Sequence, residues 1–230
     1  GGGVLMDKDR DSHRIFMVRH GETEWNRSFK YQGSSDVPLN EDGLEQARRI
    51  GVRLSAVAPD RVLASPLSRA RRTAEIIMEH NPSAAAIELR EELRELSFGV
   101  WEGLTIQEIK KIDARKYEKW RKAPFSCSPE GGETFIEVFE RSKLFAGELI
   151  KIGSPGEDTF VVAHGGVLRA VVAALMGFDD IDLLWRMRLD NCSITVIDIW
   201  GKRPSMLLSN DTHHLRFDDD GAIASLIFPR

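Results

Sequence analysis

Apolar positions follow two rhythms along this chain. Short unbroken runs at 14–18 (RIFMV), 61–64 (RVLA), 86–89 (AIEL) and 159–163 (TFVVA) are bounded by charge, Gly or Ser-Pro. They predict buried strands. Between them the spacing turns helical. Residues 41–57 carry Leu44, Ala47, Ile50, Val52 and Leu54 behind Asn40 as N-cap, and 68–79 place Ala70, Ala74, Ile77 and Met78 inward behind Ser68. The stretch 104–122 is charged and helical, 126–132 (SCSPEGG) is a loop, and 133–152 is a long amphipathic helix. An apolar helix follows Gly165-Gly166 and runs to Met176. Residues 194–199, 205–208 and 222–228 predict closing strands, the last after an acidic turn at 218–221.

Strands alternate with helices, and the strand runs are apolar on both sides. That pattern predicts an α/β three-layer sandwich with a mostly parallel central sheet and helices on both faces. The segment from about 101 to 150 breaks the alternation with successive helices and reads as a helical lid insertion above the crevice. The domain is expected to span 14–230, preceded by a flexible segment at 1–13.

Composition narrows the partners. The 230 residues are 42% hydrophobic and 30% charged, an ordinary globular balance. A formal charge of -4 argues against a nucleic-acid-coating protein. Any anionic ligand must therefore be held by local cations. Cys127 and Cys192 form no CxxC and read as free thiols in a reducing compartment. No apolar stretch approaches the roughly 20 residues that span a bilayer. The N-terminus shows no signal-peptide core, so a cytoplasmic protein without a membrane partner is the default expectation.

Ligands of open α/β sheets bind at the carboxyl ends of the strands. After 14–18 comes Arg19-His20-Gly21, and after 61–64 comes Ser65-Pro66-Leu67-Ser68-Arg69. Arg94-Glu95-Leu96 follows 86–89, and His164-Gly165-Gly166 follows 159–163. Two histidines, two arginines and a carboxylate thus converge, and two of these segments open helices whose N-termini favour anions. The set suits phosphoryl transfer through a histidine. A neutral imidazole attacks phosphorus, arginines and a second, cationic histidine clamp the oxygens, and the carboxylic acid protonates the leaving oxygen. No metal and no cofactor are expected. His213-His214 invites a metal, but no carboxylate or cysteine lies at ligand spacing. Arg71 and Arg72 read as a solvated helix face, Trp25 and Trp101 as packing residues, and His13 and His80 as surface. Glu102 competes for the acid role, but its neighbours suggest a structural loop.

Six pieces stand in order along the chain: RHGETEWN (19–26), YQGSSDVPLNEDGLEQA (31–47), SPLSRARRTA (65–74), LRELSFGVWEG (93–103), EGGET (130–134) and VVAHGGVLRAVV (161–172). Together they resemble the phosphatase branch of the histidine phosphatase superfamily, the phosphoglycerate-mutase-like group. The resemblance implies His20 as nucleophile and Glu95 as proton donor, with Arg19, Arg69 and His164 holding the phosphoryl group. It implies phosphate or substrate contacts from Asn26, Gln32, Gly33 and Gly165, and places His214 near the site edge. The implied activity is metal-independent hydrolysis of a small phosphorylated metabolite: phosphoserine, α-ribazole phosphate, a sugar phosphate or a phosphoglycerate. A homodimer is left open. The alternative is a phosphoglycerate mutase. Against it stand Leu96 where mutases carry arginine, Gln32-Gly33 where they carry Thr-Gly, and His164-Gly165-Gly166 where they carry HGN. Trp120-Arg121-Lys122 partly resembles the mutases' basic pair. A non-catalytic phosphate-binding module is a third reading, opposed by retention of every catalytic residue type.

Overall fold

A computed structural model describes residues 8–178, 180, 184 and 186–216. Strand β1 (Ser12–Arg19) is followed by the short helix α1 (Glu24–Arg27) and by α2 (Glu41–Leu54). Then come β2 (Arg61–Ala64), α3 (Ser68–Glu79) and β3 (Ile87–Leu89). Helices α4 (Ile106–Lys122) and α5 (Phe135–Ile152) precede β4 (Asp158–Ala163) and α6 (Gly165–Met176). The described chain closes with β5 (Ile194–Trp200), β6 (Arg203–Asp211) and α7 (His213–Arg216).

One six-stranded sheet has the order β3-β2-β4-β1-β5-β6. The pairs β2–β3, β2–β4 and β1–β4 are parallel, while β5 and β6 run antiparallel. The mostly parallel expectation therefore holds, and all four segments rich in candidate chemistry leave the same sheet edge. Strand periodicity builds two cores. Ile15 and Met17 join Leu63, Val161, Leu149 of α5 and Leu168 of α6 on one face. Phe16 and Val18 join Val62, Phe160, Ile50 of α2 and Ile77 of α3 on the other. Ile15 and Phe16 are fully buried, each worth about 1.5–3 kcal/mol of transfer free energy.

Several boundaries move. Strand β1 begins at Ser12, so the segment expected to be flexible is partly ordered: Lys8 pairs with Asp60 at 2.8 Å, and Arg10 pairs with Asp158. His13, expected at the surface, is buried beside Thr159, its Nε2 2.8 Å from the hydroxyl, because it heads a central strand. Helix α2 stops at Leu54, and α4 bends at Asp113 (φ −154°, ψ 84°). The edge strand β6 is longer than its apolar run, since its outer side chains face solvent. The predicted strand 222–228 and the turn at 218–221 lie outside the described residues.

The insertion also needs correction. Helix α5 belongs to the sandwich, with Phe135, Val138, Phe145 and Leu149 buried in the main core. Only the segment up to about Thr134 stands apart, around its own aromatic cluster of Trp101, Tyr117 and Trp120 backed by Tyr31 and Phe98. Trp101 and Trp120 meet edge to face at 5.4 Å. Among the described residues no helix is long and apolar enough to cross a membrane.

Candidate active site

A cavity of about 380 Å³ opens at the carboxyl edge of the sheet. Its inner wall is Arg19, His20, Asn26, Gln32, Arg69 and Glu95, with Gly33 beside them. The size suits a small ligand.

His20 follows the last residue of β1 and is 3% exposed. Its Nδ1 lies 2.6 Å from the Gly21 carbonyl oxygen. A carbonyl only accepts, so Nδ1 carries the hydrogen and Nε2 keeps the lone pair. Burial, then the charges of Arg69 and Arg19, push the His20 pKa well below 6.5. The imidazole is neutral at pH 7, as a nucleophile requires. Glycine at 21 is a packing necessity: a Cβ there would stand 2.5 Å from the Gly43 oxygen, where α2 presses on the nucleophile segment. The Gly21 N–H donates to Thr73 Oγ1 at 3.1 Å.

The arginines are held by backbone oxygens, and Glu95 is the leading carboxylate that acts on both. Arg19 donates to Leu189 O at 2.7 Å. Arg69, 1% exposed in the first turn of α3, donates to Ser35 O at 2.7 Å and to Gly33 O at 2.6 Å. Desolvation lowers the Arg69 pKa to about 10 and that of Arg19 below its usual value. Both stay cationic at pH 7 and favour a dianionic ligand. Gly33 has φ +54°, a conformation glycine tolerates, and a Cβ there would strike Glu102.

Neutral groups complete the wall. Asn26 Oδ1 accepts from the Thr23 N–H at 3.1 Å and from Asn191 Nδ2 at 3.3 Å. Gln32 Oε1 accepts from the Thr23 hydroxyl at 2.7 Å. Each amide oxygen is thereby occupied, and each side-chain NH₂ remains as the donor for a ligand.

Glu95 is tied to the start of α6. It accepts from the Gly166 N–H at 2.8 Å, from Val167 at 3.0 Å and from its neighbour Leu96 at 2.9 Å. The helix N-termini expected to attract phosphate are thus engaged by the protein's own carboxylates. Asp36 does the same at α3, accepting from the Ser68 N–H at 2.7 Å. Gly166 makes room for this arrangement, since a Cβ there would stand 2.6 Å from Glu95 Oε1. The competing acid, Glu102, is structural: it accepts from the Ser34 N–H at 2.9 Å and the Phe98 N–H at 3.0 Å.

Two expected contacts sit behind the wall. His164 is fully buried, its ring 5.2 Å from that of His20. Burial, then Arg69, His20 and Arg19, push its pKa well below 6.5, so the second histidine is neutral here rather than cationic. Its Nε2 lies 2.7 Å from Ser65 Oγ, which itself accepts from the Leu67 N–H at 3.3 Å. Gly165 packs on the Arg19 guanidinium, with a Cβ position 3.5 Å from its Nε.

Other expectations resolve simply. Leu96 is 1% exposed in the main core, so it forms no wall beside a leaving group. Arg121 is exposed and paired with Glu118 at 3.1 Å. Arg71 and Arg72 pair with Glu75 and Glu79 on the surface. His214 is buried, donating Nε2–H to Cys192 O at 2.8 Å while Nδ1 accepts from Arg53 at 3.0 Å. Both ring nitrogens are used, so it braces the site instead of facing ligand or metal. Among the described residues no group of three or more His, Cys, Asp or Glu side chains is placed to hold a metal ion.

The site has a support that sequence reading missed. Asn191 Nδ2 donates to His20 O at 3.0 Å, and the Cys192 N–H donates to Arg19 O at 2.9 Å. Nothing local marks these residues, which arrive from a loop some 170 positions away. Thr23 was findable, because T-x-x-N before a helix is a capping pattern.

The chain is 33% identical over 204 residues to phosphoserine phosphatase 1 of Hydrogenobacter thermophilus, covering 88% of this chain and 94% of that protein. It is 34% identical over 189 residues to a probable phosphoglycerate mutase GpmB of Klebsiella pneumoniae, covering 80% and 84%. The crystal structure of a putative α-ribazole-5′-P phosphatase from Escherichia coli superposes with a TM-score of 0.81 at 30% identity, over 87% of this chain and 97% of that one. The sequence profile of the histidine phosphatase superfamily matches residues 15–212. With strand ends delivering two arginines, a histidine and a glutamate to one cavity and a second histidine behind its wall, this chain belongs to branch 1 of the histidine phosphatase superfamily.

Proposed function

We propose that this chain is a phosphomonoesterase that hydrolyses a small phosphorylated metabolite through a phosphohistidine on His20. One observation carries the reading: the Nδ1–H···O=C bond to Gly21 leaves a neutral imidazole with its lone pair on Nε2, on a wall shared with two guanidinium groups.

In the first step Nε2 forms a bond to phosphorus while the ester P–O bond breaks. Arg19 and Arg69 take the growing charge on the equatorial oxygens, with NH₂ donors from Asn26 and Gln32. The departing oxygen collects a proton from Glu95. Oε1 accepts two of the three N–H contacts and Oε2 one, so Oε2 keeps a second lone-pair site for the proton and the acid keeps its place while it works. In the second step water attacks the phosphohistidine. Glu95 takes the water proton, the P–N bond breaks, and phosphate leaves with His20 neutral again. Charge stabilisation by arginine makes a metal ion unnecessary to this scheme.

Hydrolysis is favoured over mutase chemistry because Arg121 pairs with Glu118 on the surface and does not line the cavity. The test is phosphate release from a panel of phosphomonoesters in the presence of EDTA, with His20→Ala as blank. Acid-quenched wild type should carry an acid-labile, alkali-stable phosphate. Turnover by His20→Ala at the wild-type rate would end this reading. Interconversion of 3- and 2-phosphoglycerate much faster than phosphate release would give the mutase.

A further inference from the structure

The outer half of the cavity is not used by the hydrolytic chemistry. Phe29, Lys30, Tyr31, Phe98 and Ile106 line it. Its charge is one-sided. Arg19 and Arg69 answer the phosphoryl group and Glu95 is the acid, which leaves Lys30 as the remaining charged group on the lining. Among the described residues the Lys30 side chain makes no hydrogen bond or salt bridge. The carboxylate that feels its charge, Glu108, is engaged elsewhere: its Oε2 accepts from the Thr105 N–H at 2.8 Å and the Thr105 hydroxyl at 2.9 Å.

The apolar groups around Lys30 are just as unusual. Phe29 is 84% exposed and Ile106 44% exposed, although both stand at a cavity mouth. Phe29 occupies the left-handed region at φ 54°, where α1 ends. The Phe29 N–H returns to Asn26 O and the Lys30 N–H to Trp25 O, a helix ending that ordinarily takes glycine. A bulky aromatic residue thus sits in a disfavoured backbone conformation and buries little, at the rim of a binding cavity. Strained residues of this kind cluster at ligand clamps.

We propose that Lys30 is a specificity residue which receives a carboxylate on the leaving alcohol, with the body of that alcohol laid against Phe29, Phe98 and Ile106. The substrate class is a phosphomonoester of an apolar-bodied hydroxy acid. This rests on the phosphomonoesterase reading and deepens it. A single ammonium matches one negative charge better than a second phosphoryl dianion would. An alcohol bearing an ammonium group would meet Lys30 with like charge and find no acid except Glu95. A small polar alcohol such as glycerate would leave Phe29 and Ile106 uncovered.

Calorimetry on the full chain carrying His20→Ala separates binding from turnover. Benzyl phosphate, 4-carboxybenzyl phosphate, 4-(aminomethyl)benzyl phosphate and 3-phosphoglycerate are the probes. The 4-carboxy ester should bind about tenfold tighter than benzyl phosphate, the scale of one charge-assisted hydrogen bond. It should also bind more tightly than 3-phosphoglycerate, and the aminomethyl ester should bind most weakly of the benzyl series. Adding Lys30→Met should erase the carboxylate preference, Lys30→Arg should keep it, and Phe29→Ser should erase the advantage over 3-phosphoglycerate. Equal affinity for the carboxylated and plain benzyl esters, or a preference that survives Lys30→Met, would overturn the proposal. Failure of wild type to release phosphate from any ester would instead remove the hydrolytic reading, and these binding constants would still judge Lys30.

Discussion

Replacing Gly43 by alanine sets two effects of opposite sign against each other. Gly43 lies in the first turn of α2, and alanine is favoured over glycine by about 0.8–1.0 kcal/mol inside a helix. Propensity alone predicts a more stable protein. Yet a Cβ at 43 would stand 2.1 Å from Glu22 O and 2.8 Å from Glu22 N. Real Cβ contacts essentially never fall below 3.0 Å, so the two backbones must part from 2.1 Å by roughly 0.9 Å. Both atoms are main chain, so no rotamer can relieve the clash. The same parting stretches the Asn40 N–H···O Glu22 bond of 3.0 Å and the Glu22 N–H···Oε1 Gln46 bond of 2.9 Å. Overpacking costs about 1–3 kcal/mol and each weakened hydrogen bond about 0.5–1.5 kcal/mol, which together exceed the propensity gain. The net expectation is destabilisation by about 1–5 kcal/mol. His20 lies two residues before Glu22, and a misplacement near 1 Å costs about 10²-fold in rate. Gly147→Ala is the control: it lies in α5 with nothing within 4 Å of the new Cβ. It should stabilise by about 0.5–1 kcal/mol and leave kcat/KM unchanged. Urea unfolding and phosphate release on both variants settle the matter. A Gly43→Ala protein as stable as Gly147→Ala, with full kcat/KM, would show that contact between α2 and residues 21–22 does not position the nucleophile.

Glu95→Gln should slow alkyl phosphates by about 10²–10⁴-fold and aryl phosphates far less, because a phenolate leaves without much protonation; equal losses on both would move the acid elsewhere. Stability should fall between pH 6.5 and about 4, because burial holds His13 and His214 near 4 in the folded chain. The unfolded chain binds protons there that the folded one refuses, worth at most roughly 3 kcal/mol per histidine. Urea midpoints that stay flat over that window would contradict the burial of these rings. Phe29→Gly should raise stability by about 1 kcal/mol, since glycine adopts φ 54° without strain; a lower melting temperature would mean that the ring packs against something after all.

The sequence made the catalytic edge legible because its residues sit directly after apolar runs. Arg19, His20, Arg69 and His164 are each fixed by a strand or helix boundary that periodicity reveals, while Glu95 stands six residues beyond β3 in an irregular loop. What escaped depends on contacts between distant segments. His164 looked like a charged clamp until its burial among Arg69, His20 and Arg19 was visible. Leu96 looked like a pocket wall, but side-chain direction in an irregular loop has no period to read, and it points into the core. Helix α5 looked like part of a lid because α4 precedes it directly; only its buried Phe145 and Leu149 assign it to the sandwich. Gly166 read as a departure from one pattern, and the structure makes it the space that Glu95 occupies.

The brace from Asn191 and Cys192 has a consequence for the order in which activity arises. Arg19 and His20 emerge early in synthesis, but the groups that hold their carbonyls come after four of the six strands. Closing a loop of that length is entropically costly, so this pairing belongs to the slower part of folding. A nascent chain that has completed β1 to β4 already owns every catalytic side chain, yet it lacks the donors that fix the backbone of its nucleophile. Catalytic competence should therefore lag behind helix formation in refolding, appearing together with β5 rather than with the sheet that carries the chemistry.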